Sequence, residues 1–471
     1  MATRGFAGSD ELRPPRATPL LVAGTLVVLA GLAWLDARNG GTAPVALGVA
    51  LLAGYLALCL VHLEAAMILI LAVAPFSVES IIPGTGSALQ LPTEPMLFVA
   101  LAAWLARTLS RGLPRFRHPG FQFTLLLALG ACLLSLFGSA FPSVAGKATL
   151  NAAWYAAFGL FLVHNLDTPG RLNGVVAAWL VPGVLLSLNS IANVLAGNYD
   201  ATQGYWHAWP FFSEHGTWAA YMSFLFTLSL ALTVEGRGPS RVGTGAMTLL
   251  FGSQVVLSFT RGAWIGVAVA AVPLAIVWRR RLITPGGIGL AAATGALAVV
   301  FLLSGDVTQR IGKHGDTLTD PTYTSNLERL NRWYAGWRMF ETSPVTGVGY
   351  GTYVNNYLNN RRTMLATDQS TMRMGIHSEY LRVLAETGVV GFLAALACGI
   401  ALAGIAAQAI RRAATPLRRS LAIGMSAGLI TYLAHAVVNN FIQYDKAAVP
   451  VWTAIGVLGA IAATPAPAES D

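Results

Sequence analysis

Charge is scarce in this chain. Only 11% of its 471 residues are charged, and the 21 acidic residues are outnumbered by 30 lysines and arginines. A soluble domain usually carries about 25% charged residues, so the soluble globular class is excluded. Cysteine is nearly absent too. Cys59, Cys132 and Cys398 lie far apart and inside apolar blocks. They read as buried hydrophobes, and they supply neither a disulfide framework nor the spacing of a zinc site. The net charge of +9 does not mark a nucleic-acid binder, because the basic residues are dispersed among short loops rather than gathered on one soluble face. Residues 1–16 are polar, and the apolar block after them has no small-residue cleavage site. No cleavable signal peptide is expected.

What is abundant is apolar sequence. Hydrophobic residues make up 55% of the chain, in blocks such as residues 18–35 and 387–410. A bilayer core needs about 20 such residues per helical crossing. Inside lipid the backbone must satisfy its own hydrogen bonds, so these blocks are predicted to be helices. The fold expected is an all-α polytopic membrane helix bundle of twelve to fourteen spans. Fourteen apolar segments start near Thr18, Ala43, Ala65, Thr93, Phe121, Ala148, Asn173, Glu214, Val242, Gly262, Pro285, Thr387, Arg419 and Ala447. The third is short and ends in Pro-rich sequence, which fits a re-entrant or tilted piece.

Arginine sets the orientation. With a cytoplasmic N-terminus, the inner loops hold Arg111, Arg115, Arg117, Arg279, Arg280, Arg281, Arg411, Arg412, Arg418 and Arg419 among others. The short outer loops hold only Arg38, Lys147, Arg261 and Lys446. Both termini are therefore expected in the cytoplasm. The organisation that follows is N-terminal transmembrane helices over 1–303, a large outer loop over 304–386, C-terminal transmembrane helices over 387–463, and a disordered Ala/Pro-rich tail over 464–471.

A connection as long as 304–386 is usually functional or disordered. This one carries Leu327, Leu330, Trp333, Tyr334, Trp337 and Phe340 at helical spacing. Ser343-Pro344 ends that helix, and Gly347, Gly349 and Gly351 follow as a turn-rich link. A second helix is predicted from near Ile376, with Tyr380, Leu381 and Leu384 on one face. The two would lie on or cap the bundle as amphipathic helices.

Ionisable residues near membrane depth usually face a cavity. Arg261 sits in a tight turn between two apolar segments, at the outer boundary. It could bind an anion through its guanidinium fork or simply snorkel to the interface. Arg329 and Arg332 lie about a turn apart on the first loop helix. Glu328 can pair with Arg332 at i,i+4, which leaves Arg329 the freer cation, on a face that solvent could equally claim. His377 precedes the second loop helix. It could take a proton near neutral pH or cap a helix. His215, His435 and Lys147 stand at outer segment ends and are candidate cavity-lining residues, as are Asn439 and Asn440. Each could equally be a structural polar group. No acidic cluster presents a metal site. Outer arginines and one histidine together make chemical sense. The arginines can hold a pyrophosphate and stabilise its charge as it leaves, where other pyrophosphate chemistry uses a divalent ion.

At these residues the chain resembles the O-antigen ligase family of bacterial envelope proteins, which also takes in O-antigen polymerases and protein O-oligosaccharyltransferases. Three stretches carry the likeness. One is Thr260-Arg261-Gly262. The second runs from Arg329 through Trp337 to Ser343-Pro344-Val345-Thr346-Gly347-Val348-Gly349. The third is His377-Ser378-Glu379-Tyr380-Leu381, continuing to Ala385-Glu386-Thr387-Gly388. Ser378 stands where many members have asparagine. The resemblance implies a metal-independent, inverting membrane glycosyltransferase with no cofactor. Its donor would be a glycan on undecaprenyl pyrophosphate, and its acceptor the lipid A-core oligosaccharide. Arg261 and Arg329 would hold the pyrophosphate, and His377 would activate the acceptor hydroxyl. The single large loop and the lack of an appended soluble domain favour the ligase over the polymerase or protein transferase. The setting would be the bacterial inner membrane, with the site facing the periplasm. A transporter for a lipid-linked sugar is the competing class. It calls for charges near the bilayer midplane and repeat symmetry between halves, and neither is apparent.

Overall fold

A computed structural model describes residues 43–82, 87–112, 116–166, 168–197, 208–282, 324–360 and 375–464. The apolar segments near Thr18 and Pro285, Arg38, much of the outer loop and the tail beyond Thr464 lie outside the described residues. Every other apolar segment read from the sequence falls on a helix.

The chain divides into two units, residues 1–58 and 59–471. What is described of the first is the larger part of α1 (Ala43–Val61), a wholly apolar helix. The second unit begins with α2 (Leu63–Val73), which at 11 residues is too short to cross a bilayer. A 3-10 turn at Ala74–Phe76, carrying Pro75, ends it. A two-stranded antiparallel hairpin follows, β1 (Val78–Ile82) on β2 (Ser87–Leu91). The short third segment is therefore a half-helix leading into a hairpin, where proline removes the backbone donor that a longer helix would need.

The rest is helical: α3 (Thr93–Arg111), α4 (Pro119–Leu136), α5 (Pro142–Asn165), α6 (Pro169–Leu195), α7 (His215–Glu235), α8 (Ser240–Leu257), α9 (Arg261–Leu282), α10 (Thr324–Thr342), α11 (Tyr353–Asn360), α12 (Glu379–Arg412), α13 (Pro416–His435) and α14 (Asp445–Ala463). Several start where local chemistry dictates. Thr168 and Thr415 each accept a hydrogen bond from a backbone N–H of the first turn, with proline at the first helical position; both devices suit a helix N-terminus. Among the described residues six helices, α4, α6, α7, α9, α12 and α14, are long and apolar enough to cross a membrane. The helix α7 is buried nearly all round, packed by α8 and α13, while α14 packs on α5, α12 and α13. Large apolar side chains such as Phe123, Leu133, Ile276, Leu396 and Ile400 stay exposed, as a lipid-facing surface requires. The architecture is an all-α polytopic membrane bundle.

The loop helix read over residues 326–340 spans Thr324–Thr342 as α10. Leu330, Tyr334 and Trp337 are 45%, 38% and 48% exposed, whereas Asn331, Arg332, Ala335 and Met339 are buried. The predicted stripe is split: Leu330, Tyr334 and Trp337 face outward along with Arg338 and Glu341, while Ala335 and Met339 join a buried cluster with Tyr353, Tyr357 and Ile376, beside Asn331 and Arg332. A further short helix, α11, follows it, and the helix expected from near Ile376 starts at Glu379 as the head of α12.

The helix α12 breaks at Gly388, whose φ of 64° and ψ of −167° are open to glycine and to little else. Residues 344–349 lie against this break. The N–H groups of Val389 and Val390 donate to the carbonyls of Pro344 (2.8 Å) and Val345 (3.4 Å), while those of Val348 and Gly349 donate to Ala385 (3.1 Å) and Glu386 (3.1 Å). The approach is so close that a Cβ on Gly388 would fall 2.3 Å from the Val345 carbonyl carbon, and one on Gly347 2.2 Å from that of Glu386. Just before the break, buried Arg382 (2% exposed) is gripped by Glu379 and by Glu386, the latter at 2.6 Å. It also lies 5.1 Å from the Tyr350 ring centroid.

Candidate active site

The ends of α7, α9 and α13, the start of α12 and the inner face of α10 meet at one end of the bundle. The turn before α9 is tight: Phe259 has a positive φ of 48°, and Thr260 Oγ1 donates to the His215 carbonyl at 3.3 Å. Arg261 then opens α9. Its Nη1 is buried with no hydrogen-bond partner among the described residues. A buried, unsatisfied donor on a cation is costly, and it marks a place where an anion would be held. The next residue must be small, because a Cβ on Gly262 would lie 2.4 Å from His435 Cδ2. His435 is itself buried, edge-on to Phe441 at 4.7 Å.

His377 is fixed from several sides. Its backbone is left-handed, with φ 54°, a conformation that costs a non-glycine residue energy and tends to occur at functional sites. Its N–H donates to Asn440 Oδ1 at 2.9 Å, and its carbonyl accepts from the Trp333 indole at 3.3 Å. Asn439 stands beside its side chain and favours the protonated ring. Ser378 caps α12 by accepting from the Leu381 N–H at 3.4 Å. Glu379 N–H donates to the carbonyls of Ala436 and Asn439. The head of α12 is thus tied to the link between α13 and α14.

The electrostatics identify the neighbours. Burial, then the charges of Arg332 and Arg329, push the His377 imidazole down to about 3, with His215 adding in the same direction and Asn439 opposing. Burial followed by repulsion from Arg261 and Arg332 lowers Arg329, with Glu328 opposing. Arg332 pairs with Glu328 at 3.5 Å, and its carbonyl accepts from Tyr353 Oη at 2.8 Å. Arg261, Arg329, Arg332, His215, His377 and His435 therefore form one electropositive neighbourhood.

Lys147 has a different setting. It sits on α5 and faces Glu94 of α3 at 4.0 Å, and Glu94 also accepts from Asn151 at 3.0 Å. Sequence reading missed Trp333 as a support of His377 and the buried Arg382–Glu379–Glu386 group. Trp333 sat in the apolar stripe of α10, and nothing in its spacing separates a structural indole from one that donates to the site.

No curated protein matches the chain. Residues 246–396 match the family model described as O-antigen ligase, a stretch that runs from within α8 to within α12. It contains Arg261, Arg329, Arg332 and His377, and leaves His215, His435 and Lys147 outside. Over that stretch, about a third of the chain, the protein is similar to the O-antigen ligase family.

Proposed function

We propose that this protein transfers an O-antigen glycan from undecaprenyl pyrophosphate to a hydroxyl of the lipid A-core oligosaccharide, at the periplasmic face of the bacterial inner membrane. The family match over residues 246–396 supports a transferase of the ligase or polymerase type. The observation that carries the finer reading is the convergence of His377 with three arginines, one of which, Arg261, holds a buried guanidinium nitrogen with no hydrogen-bond partner among the described residues.

The reaction breaks the bond between the anomeric carbon and the pyrophosphate oxygen and forms one to the acceptor oxygen. The leaving group is undecaprenyl pyrophosphate, and the acceptor's proton passes to His377. Inversion at the anomeric carbon follows from a single displacement. Arg261 and Arg329 bind the pyrophosphate and stabilise the charge that builds on it, an effect worth about 10²–10³-fold per donor when preorganised. The backbone bonds of His377 to Asn440 and Trp333 set its position, with Asn439 beside the imidazole. Proton removal by a positioned base is worth about 10²–10⁴-fold. The bound pyrophosphate offsets the arginine charge, so the imidazole becomes a stronger base only once donor is present.

Reconstituted protein given a lipid-linked glycan and lipid A-core tests this. His377→Ala should lose transfer while keeping donor binding, and Arg329→Ala should weaken donor binding. Near-normal transfer by both variants would falsify the mechanism. In cells, deletion should remove polymer-capped lipopolysaccharide while lipid-linked polymer is still made. Loss of the polymer itself would point to a polymerase. Movement of intact donor across the membrane without product would point to a transporter.

A further inference from the structure

The opposite end of the bundle holds a second feature that the proposed reaction does not use. There α2, α3 and α5 enclose a cavity of about 460 Å³. Its wall carries Arg107, Arg111 and Arg117, and beside them Trp104 and Phe161, which meet edge-on at 5.6 Å between ring centroids. Glu64, the one carboxylate among the described residues of the wall, lies 3.7 Å from Arg107 and also 3.7 Å from Arg171, so a single negative charge is shared between two cations. Arg117 is held in place by donating to the Val163 carbonyl at 3.1 Å, which leaves most of its guanidinium donors for something else. The cavity is thus cationic on one side and aromatic on the other. On the adjoining face of α3, Phe98, Leu105 and Leu109 are exposed, an apolar strip suited to acyl chains.

We propose that this cleft binds the phosphate headgroup of an anionic membrane lipid, the arginines taking the phosphate and the aromatic wall the start of the acyl chains. Basic pockets between membrane helices suit such headgroups, and each arginine contributes on the order of a fivefold gain in affinity. Guanidinium matches phosphate in bidentate fashion, and tryptophan suits the polar edge of the bilayer. Glu64 sets the specificity: it disfavours a second negative charge at its end of the cavity, so a phosphodiester fits better than a phosphomonoester.

The full-length protein, purified in a neutral detergent, tests this by native mass spectrometry of retained lipid with phosphatidylglycerol or phosphatidylcholine added. Wild type should keep one phosphatidylglycerol in preference to phosphatidylcholine. Arg111→Gln, an exposed position that should fold normally, should lower retention by about fivefold, and Arg107→Gln with Arg111→Gln by about 25-fold, taking the per-arginine figure. Arg279→Gln with Arg280→Gln, at the same end but outside the cavity, should leave retention unchanged. Equal retention of both lipids, or equal loss in the two double variants, would overturn the proposal. Soluble glycerophosphoglycerol, the same phosphodiester without acyl chains, separates the two sources of a phosphate. Failure to displace the lipid supports a lipid site, and displacement at comparable concentration assigns the cleft to a free phosphate ester and overturns the lipid assignment.

Discussion

The backbone N–H of His377 donates to the side-chain oxygen of Asn440 at 2.9 Å. The bond crosses from the head of α12 to the link after α13, and it holds His377 in a left-handed conformation. Asn440→Ala removes it and should let the imidazole shift. Misplacement of a reacting group by about 1 Å costs on the order of 10²-fold, so transfer should fall by roughly that much in turnover. Donor binding, which depends on the arginines, should stay unchanged. Equal loss in binding and turnover would show that Asn440 supports the whole site rather than His377.

The pH dependence has a definite sign. Burial, then Arg332 and Arg329, hold the free-enzyme imidazole down near 3, so His377 is already neutral throughout the range from about pH 5 to 8. It should therefore contribute no acid limb to kcat/KM in that range, since kcat/KM reports free enzyme. Bound pyrophosphate counters the arginines and raises the imidazole, so an acid limb from His377 should appear in kcat at higher pH. Arg329→Gln removes one repelling charge, and should move the His377 titration upward when followed by NMR on labelled histidine. A free-enzyme acid limb near pH 6.5 that vanishes in His377→Ala would count against this account.

At Gly388 and Gly347 the backbone and the space agree. Both have positive φ, and at each a Cβ would sit about 2 Å from main-chain atoms of the other segment. Gly388→Ala and Gly347→Ala should each destabilise by at least about 1–3 kcal/mol, the range for strained backbone. Thermal unfolding in detergent should register this as a lower Tm. Gly399→Ala, within α12 and with nothing within 4 Å of an added Cβ, should be neutral or slightly stabilising.

Arg382 should be far less tolerant than its surface-like sequence context implies. Arg382→Met leaves Glu386, 1% exposed, as an uncompensated buried charge, a loss of about 3–5 kcal/mol. Adding Glu386→Gln should recover part of it, because the remaining group is neutral. A double variant as unstable as Arg382→Met alone would show that packing against Tyr350, not charge, dominates.

Most helices were legible from apolar blocks, and the Arg261 turn, Arg329 and His377 stood out because ionisable groups are conspicuous beside membrane segments. Two things were hidden for physical reasons. The apolar stripe of α10 was readable, but its facing was not. In lipid an apolar stripe can point outward, so periodicity alone does not tell a core face from a bilayer face. Leu330, Tyr334 and Trp337 took the outer side, and Asn331 and Arg332 the inner. The seating of residues 344–349 on α12 was also out of reach. It rests on main-chain bonds between an irregular segment and a helix break, which leave no side-chain period behind. Asn440 was visible only as a polar residue at a helix end, since its partner is a backbone group 63 positions away.

A glycine midway along a membrane helix usually offers a pivot. In α12 that freedom has been withdrawn, since one turn-rich stretch of chain is bonded to the helix both before and after Gly388 and acts as a splint. The same stretch follows directly from the helix that bears Arg329, so the arginine-bearing lid and the histidine-bearing post are braced against each other. Opening by flexure of α12 is thereby disfavoured, and the bundle presents a stiff wall on that side.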